Sequence, residues 1–200
     1  MEEKDLMAEK GDLPENGGRK KRVLVALITL AVIVVLAVVC ALLLREFVFD
    51  SFLVDGRSML PTLDGGETGV PDDGDKLILD TVKTPDRGDI VVFYYDWGDA
   101  LTTTPHYLVK RVIAVAGDTV EIRFGDLYLN GVLQEEDYIL ERMDSRSDGP
   151  TVTVPEGCYF VMGDNRNDST DSRIIGCVPK ENLVGTCFLI LTRSGSLRLP

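Results

Sequence analysis

A single histidine, His106, serves a chain of 200 residues. That scarcity restricts the hydrolytic chemistry on offer. A serine or cysteine nucleophile paired with imidazole would need His106 as its base. His106 follows Thr102-Thr103-Thr104-Pro105, the setting of a loop or the start of a strand. The four cysteines form no C-x-x-C and no zinc-spaced Cys/His cluster, so no metal and no cofactor is expected. Lysine remains as a base, provided it is neutral. An exposed Lys titrates at about 10.4, and burial in apolar surroundings lowers that value. Lys110 lies in YLVKRVIAVAG, Tyr107–Gly117. Strand alternation there puts it on one face with Leu108, Val112 and Ala114, and turns Arg111 to the other. A lysine in mid-strand on an apolar face is unusual in a soluble domain. A surface lysine snorkelling from an edge strand would give the same pattern.

A nucleophile must accompany such a base. Ser58 stands in VDGRSMLPTL, residues 54–63, where an apolar stretch meets a glycine and then a proline turn. Gly56 permits an unusual backbone conformation just ahead of the serine. Such a bend can aim both the Ser58 hydroxyl and the Ser58 N–H at one carbonyl, as acyl transfer requires. Composition alone is equally compatible with an ordinary turn serine.

The elements that must hold these residues fall into two parts. Val23–Leu44 is 22 residues without charge, Pro or Gly. At about 1.5 Å per residue it spans roughly 33 Å, against about 30 Å of bilayer hydrocarbon. A cleaved secretory signal would have a shorter apolar run and a small-residue cleavage site, whereas this run ends Leu-Leu-Leu-Arg-Glu-Phe. Arg19, Lys20, Lys21 and Arg22 precede it, and only Arg45 beside Glu46 follows. The positive-inside rule then places residues 1–22 in the cytoplasm as a polar, disordered tail, residues 23–44 across the plasma membrane as a single pass, and 45–200 outside as the working domain. Phe47, Phe49, Phe52 and Leu53 either dip into the interface or form a first core strand, and Trp97 is a second candidate for interfacial contact.

Beyond residue 46 the pattern is β. Short runs rich in branched and aromatic residues occur at 90–95, 107–117, 119–124, 151–157, 158–164 and 185–193, separated by Gly, Asp, Asn and Pro. The expected fold is mostly β: an extracytoplasmic sheet or barrel-like domain with at most one short helical turn, behind one N-terminal transmembrane helix. The net charge of −12 argues against nucleic acid as a partner. Cys158, Cys177 and Cys187 lie in the outer part, where a disulfide is possible, and small buried hydrophobes are the simpler reading of them.

Four segments, in order behind the apolar run, resemble the bacterial type I signal peptidases of the Ser–Lys kind. They are GRSMLPTL at 56–63, RGDIVVF at 87–93, KRVIAVAGD at 110–118 and GDNRNDSTDSRIIG at 163–176. The resemblance implies a membrane-bound serine endopeptidase that removes N-terminal signal peptides from exported preproteins after small-x-small sites. It implies Ser58 as nucleophile, Lys110 as general base, and Ser169 as the residue that hydrogen-bonds and orients Lys110. The Ser58 backbone N–H would bind the oxyanion. Asp164, Arg166, Asp171, Ser172 and Arg173 match the polar shell, with Asp164 pairing with Arg111 and Asp171 with Arg173. Gly56 replaces the serine hydroxyl that some members add to the oxyanion site, a form similar to the Gram-positive relatives. Members carrying His in place of the lysine have it at position 110, so His106 is given no role. The larger members' extra domain falls between the third and fourth segments; with only residues 119–162 available, it is expected to be reduced or absent. The implied partners are signal peptides and the lipid bilayer, with the chain monomeric or weakly associating. A dedicated Ser–Lys maturase of one secreted, pilus or spore protein is the alternative within this chemistry. A self-cleaving repressor would carry a DNA-binding module instead of the anchor. A non-enzymatic anchored β-domain is the alternative outside it.

Overall fold

The computed structural model describes residues 16–66, 73–98 and 106–200, with side chains omitted at 16, 17, 19 and 43–49. The expected tail up to residue 15 and the side chains of Phe47 and Phe49 lie outside the described residues. The chain divides into two units, residues 1–44 and 45–200.

Helix α1 runs Asn16–Val48, so it starts ahead of the apolar run, and residues 16–22 of the expected disordered tail are helical. Its segment Lys20–Leu42 is long and apolar enough to cross a membrane, and none of its side chains is buried within the protein. A helix apolar on every side is stable only where an apolar solvent meets every side.

Among the described residues the second unit holds twelve strands: β1 Phe49–Leu53, β2 Lys76–Asp80, β3 Ile90–Tyr95, β4 His106–Val115, β5 Thr119–Arg123, β6 Asp126–Leu129, β7 Val132–Leu133, β8 Val152–Thr153, β9 Cys158–Met162, β10 Val178–Pro179, β11 Leu183–Leu191 and β12 Leu197–Arg198. One short helix, α2, covers Ser172–Ile175. The large antiparallel sheet has the order β1-β2-β11-β3-β4-β9-β10, with β12 on β11; the small one has the order β7-β6-β5-β8. The small sheet occupies the interval between the third and fourth sequence segments. Asn130-Gly131, both at positive φ, make the tight turn between β6 and β7.

Three apolar clusters form the core. The first joins β2, β3 and β11 to Met59 and Leu63 and includes Val109; Phe52 of β1 packs against it. The second joins the small sheet to Phe160 and Met162 of β9. The third gathers Val91, Phe93, Val112, Tyr159, Val161 and Val178. Phe52 is thus half-buried against the core from a first strand, whereas Trp97 is exposed and sits edge-on to Tyr95 at 4.8 Å. Alternation along β4 is broken between Val112 and Ala114, where its register against β9 shifts. The bulge sends Ala114 into the second cluster while Leu108 and Val112 stay with the third, so Ala114 does not share the face expected from simple alternation.

Candidate active site

Lys110 lies on an interior strand, with β3 on one side of β4 and β9 on the other. Only 3% of its surface is exposed, which rules out the snorkelling edge lysine. Opposite it on β3 stands Val91, a core residue. The ammonium group finds two neutral oxygens: the Ser58 hydroxyl at 2.8 Å and the Val109 carbonyl at 2.8 Å. Among the described residues, no carboxylate is within hydrogen-bonding distance of it. Burial pushes its pKa down to about 8, outweighing the opposing pull of the more distant Asp171 and Asp164 charges. His106, at the first position of β4, is exposed.

Ser58 is fixed from two directions. After it, the turn Leu60–Leu63 is anchored by Met59 and Leu63, both buried in the first cluster. Before it, Gly56 takes a φ of 85°, a region costly for any side chain. Asn165 closes the arrangement: its N–H donates to the Ser58 carbonyl at 3.0 Å and its Nδ2 to the Arg57 carbonyl at 3.1 Å. The Ser58 N–H has no hydrogen-bond partner among the described residues. Gly163 permits the close approach of these segments, because a Cβ there would stand 2.4 Å from the Ser58 carbonyl oxygen and 2.3 Å from Ser169 Oγ.

A cleft of about 380 Å³ opens onto the pair and is lined by Gly56, Arg57, Ser58, Trp97, Leu108, Lys110 and the loop 167–170. Ser169 faces it, yet its Oγ is buried without a hydrogen-bond partner. The expected bond from Ser169 to Lys110 is not formed; Nζ directs its bonds to Ser58 and Val109 instead.

The charged shell is engaged throughout. Arg111 Nε and Nη2 donate to the two oxygens of Asp164 at 2.9 and 2.7 Å, and Nη1 to the Gly88 carbonyl at 2.8 Å. Arg173 forks onto Asp171 at 2.8 and 2.7 Å, and Asp171 also accepts the Gly163 N–H at 3.0 Å. Ser172 Oγ accepts the Val161 N–H at 2.9 Å. Both pairs thus sit where the resemblance placed them. Arg166, 1% exposed, forks onto Glu136 at 2.6 and 2.7 Å and donates to the Gly163 carbonyl at 3.0 Å. Arg87 and Asp118, from the second and third segments, form a further pair, with Arg87 Nε 2.8 Å from the carboxylate.

A buried lysine of lowered pKa, hydrogen-bonded to a serine whose amide has no partner among the described residues, is the geometry of a hydrolase that works by acyl transfer without histidine. The family described as "Signal peptidase, peptidase S26" matches residues 27–192. The chain belongs to this family. Signal peptidase I S of Bacillus subtilis is 41% identical over 194 residues, covering 92% of this chain and 97% of that one. A probable signal peptidase I-1 of Synechocystis is 40% identical over 166 residues, 76% of each chain. A crystal structure of a signal peptidase I from Enterococcus faecalis is 35% identical and covers 52% of this chain and 97% of its own, with a TM-score of 0.43. This signal peptidase is accordingly a serine peptidase. Four contributors to its site carry no individual mark in the sequence: Gly163, Asn165, Glu136 and Tyr138, whose hydroxyl donates to Glu136 and whose ring lies over Arg111. The first two lie inside the motif at 163–176, where the unusual polar density was visible but individual tasks were not. Glu136 and Tyr138 lie outside every motif, and no local pattern marks them.

Proposed function

We propose that the chain cleaves signal peptides from exported preproteins through an acyl-enzyme on Ser58, with neutral Lys110 as the general base. The observation that carries this reading is the 2.8 Å contact between Lys110 Nζ and Ser58 Oγ in a site that lowers the lysine pKa to about 8. Near neutrality a useful fraction of such a lysine is unprotonated. Its lone pair takes the Ser58 proton as Oγ attacks the scissile carbonyl. The Ser58 N–H faces the developing oxyanion. The protonated lysine then passes its proton to the leaving amine, and the same nitrogen activates the water that frees the acyl group.

Ser169 supports that cycle. A neutral amine that accepts from Ser58 and donates to Val109 O has one further N–H to place. Ser169 Oγ, buried and without a partner beside Gly163, is the acceptor on that side once Lys110 turns toward it. Asp164, Arg111, Arg166, Asp171, Ser172 and Arg173 hold the site's shape without reacting.

Helix α1 crosses the plasma membrane with the N-terminus inside and the catalytic domain outside, as the Arg19–Arg22 cluster favours. Tethering enzyme and substrate to one bilayer raises their effective concentration. The substrate lies extended along an exposed strand edge, with small side chains before the cut. The enzyme acts as a monomer or a weakly associating chain.

The test is cleavage of a purified preprotein by the full chain in detergent, read by mass spectrometry, beside Ser58→Ala and Lys110→Met. A cut after a small-x-small site by the wild type alone is expected. Equal cutting by either variant would show that another residue is the nucleophile or base. Intact substrate with a folded wild type would favour a maturase dedicated to one protein.

A further inference from the structure

Residues 134–143, between the small sheet and the Ser145 turn, form a strap across the loop that carries Gly163–Asn167. Its ends are fixed: Gln134 N–H bonds to Leu127 O at 2.9 Å, and Met143 is buried in the second cluster. Between them the strap grips the loop at several points. Leu140 N–H bonds to Asp164 O at 3.0 Å, and Asn167 Nδ2 donates to Glu141 and to Arg142 O at 2.9 and 3.1 Å.

Its side chains reach further. The Tyr138 ring lies 4.2 Å from the guanidinium carbon of Arg111 and 5.9 Å from that of Arg166, within the range of cation–π attraction. The Tyr138 hydroxyl donates to Glu136 at 2.5 Å, and Glu136 forks onto Arg166. Arg111 follows Lys110 in β4 and neutralises Asp164; Arg166 binds the carbonyl of Gly163, the residue wedged between Ser58 and Ser169. A closed circuit results: Arg111, Tyr138, Glu136, Arg166, Gly163, Asp164 and back to Arg111.

From this circuit we infer that Tyr138 and Glu136 are positioning residues for the Ser58–Lys110 pair, holding the two arginines that set the geometry of the loop and the field of Asp164. Neither touches the reacting atoms. The inference rests on the Ser–Lys reading. The charged groups around Lys110 are Asp164 with Arg111, Asp171 with Arg173, Arg166 with Glu136, and Arg57 and Asp168 lining the cleft. Of these, Asp164 is the one whose neutralisation the strap controls. With Tyr138 cut back, Arg111 loses the face that holds it on Asp164, and the bared carboxylate favours protonated Lys110. With Glu136 neutral, Arg166 turns to Asp164 and favours the free amine. The two changes therefore push the base in opposite directions.

The experiment measures kcat, KM and the pH profile of preprotein cleavage by the full chain in detergent, with thermal unfolding of each variant. Tyr138→Leu is expected to lower kcat about tenfold with KM within about twofold, and to move the acid limb up by about half a pH unit. Tyr138→Phe, which keeps the ring over Arg111, should restore the limb. Glu136→Gln should move the limb down. Variants whose melting temperatures fall while kcat and the acid limb stay at wild-type values would overturn the inference and leave the strap as scaffold. Should Tyr138→Leu not fold, Glu136→Gln decides: a limb that does not move down overturns it. Unmoved limbs with an active wild type remove only the strap's role, whereas an inactive wild type removes the Ser–Lys reading along with it.

Discussion

Lys110 and Arg111 are consecutive residues of β4, 3% and 7% exposed, and the fold treats their charges in opposite ways. Arg111 receives a forked carboxylate, a backbone carbonyl and an aromatic face. Lys110 receives a hydroxyl and a carbonyl. Both are taken out of water. Among the described residues the lysine alone of the two has no contacting counter-ion, and a lysine can respond by giving up its proton, whereas guanidinium keeps its charge in any protein setting. Adjacent burial thus yields an amine of lowered pKa on one face of the strand and a bracket on the other. What separates them is the placement of Asp164, close enough to bind Arg111 and far enough to act on Lys110 only through space.

The largest expected effect comes from abolishing that contrast. Lys110→Arg keeps the charge, fits no carboxylate and cannot act as a base. Cleavage should fall by at least about 10³-fold, to the level of Ser58→Ala. The comparison to make is with Lys110→Met, which should be equally inactive yet more stable than Lys110→Arg in denaturant unfolding, because it removes a buried charge instead of fixing one. Measurable turnover by Lys110→Arg would mean that the base lies elsewhere.

Next comes the bracket. Arg111→Met strands the carboxylate of Asp164, which is fully buried, and should cost about 3–5 kcal/mol of stability by urea unfolding. Restoring an apolar match with Asp164→Leu in the same chain should recover part of that loss, since both charges then leave together. A single Arg111→Met variant as stable as wild type would show that water reaches Asp164 when its partner goes.

The two residues also differ in how they follow pH. Cleavage should rise with pH along a limb centred near 8, where burial places Lys110. For stability the sign runs as follows. The folded pKa lies below the unfolded one, so between the two values the unfolded chain binds the extra proton. The destabilisation by Lys110 is therefore fully present below about pH 8 and is relieved as pH rises toward its ordinary value. The relief amounts to about 3 kcal/mol, read as the wild-type change minus that of Lys110→Met between pH 7.5 and 10.5. Parallel stability curves for wild type and Lys110→Met would place the lysine in water.

Much of this contrast was legible in the chain before its fold was known, and the limits follow from period and distance. The strand at 90–95 and the core of β4 follow from alternating or continuous branched residues, a signal local to each run. The anchor follows from length alone. The small sheet was half visible: TVEIRF marks β5, whereas DLYL reads as turn punctuation although it forms β6. The bulge that moves Ala114 to another cluster has no sequence mark, because it is set by pairing with β9. Lys110 and Ser58 stand 52 positions apart, so their contact is knowable only through a resemblance or through the fold. Glu136 and Tyr138 answer to Arg166 and Arg111 by the same long-range logic.

The smallest effect concerns Ser169, where the comparison of faces is sharpest. Its Oγ is buried without a partner, so removing it leaves nothing unsatisfied, and Ser169→Ala should change stability by no more than about 0.5 kcal/mol. An orienting hydroxyl that engages Lys110 only during turnover should nonetheless matter to rate, lowering kcat about tenfold with little change in KM. Arg111→Met and Ser169→Ala would then be mirror images: one chiefly unfolds the protein, the other chiefly slows it. If Ser169→Ala cleaves at the wild-type rate, Val109 O and Ser58 suffice to aim the amine, and the orphaned hydroxyl is a packing feature beside Gly163.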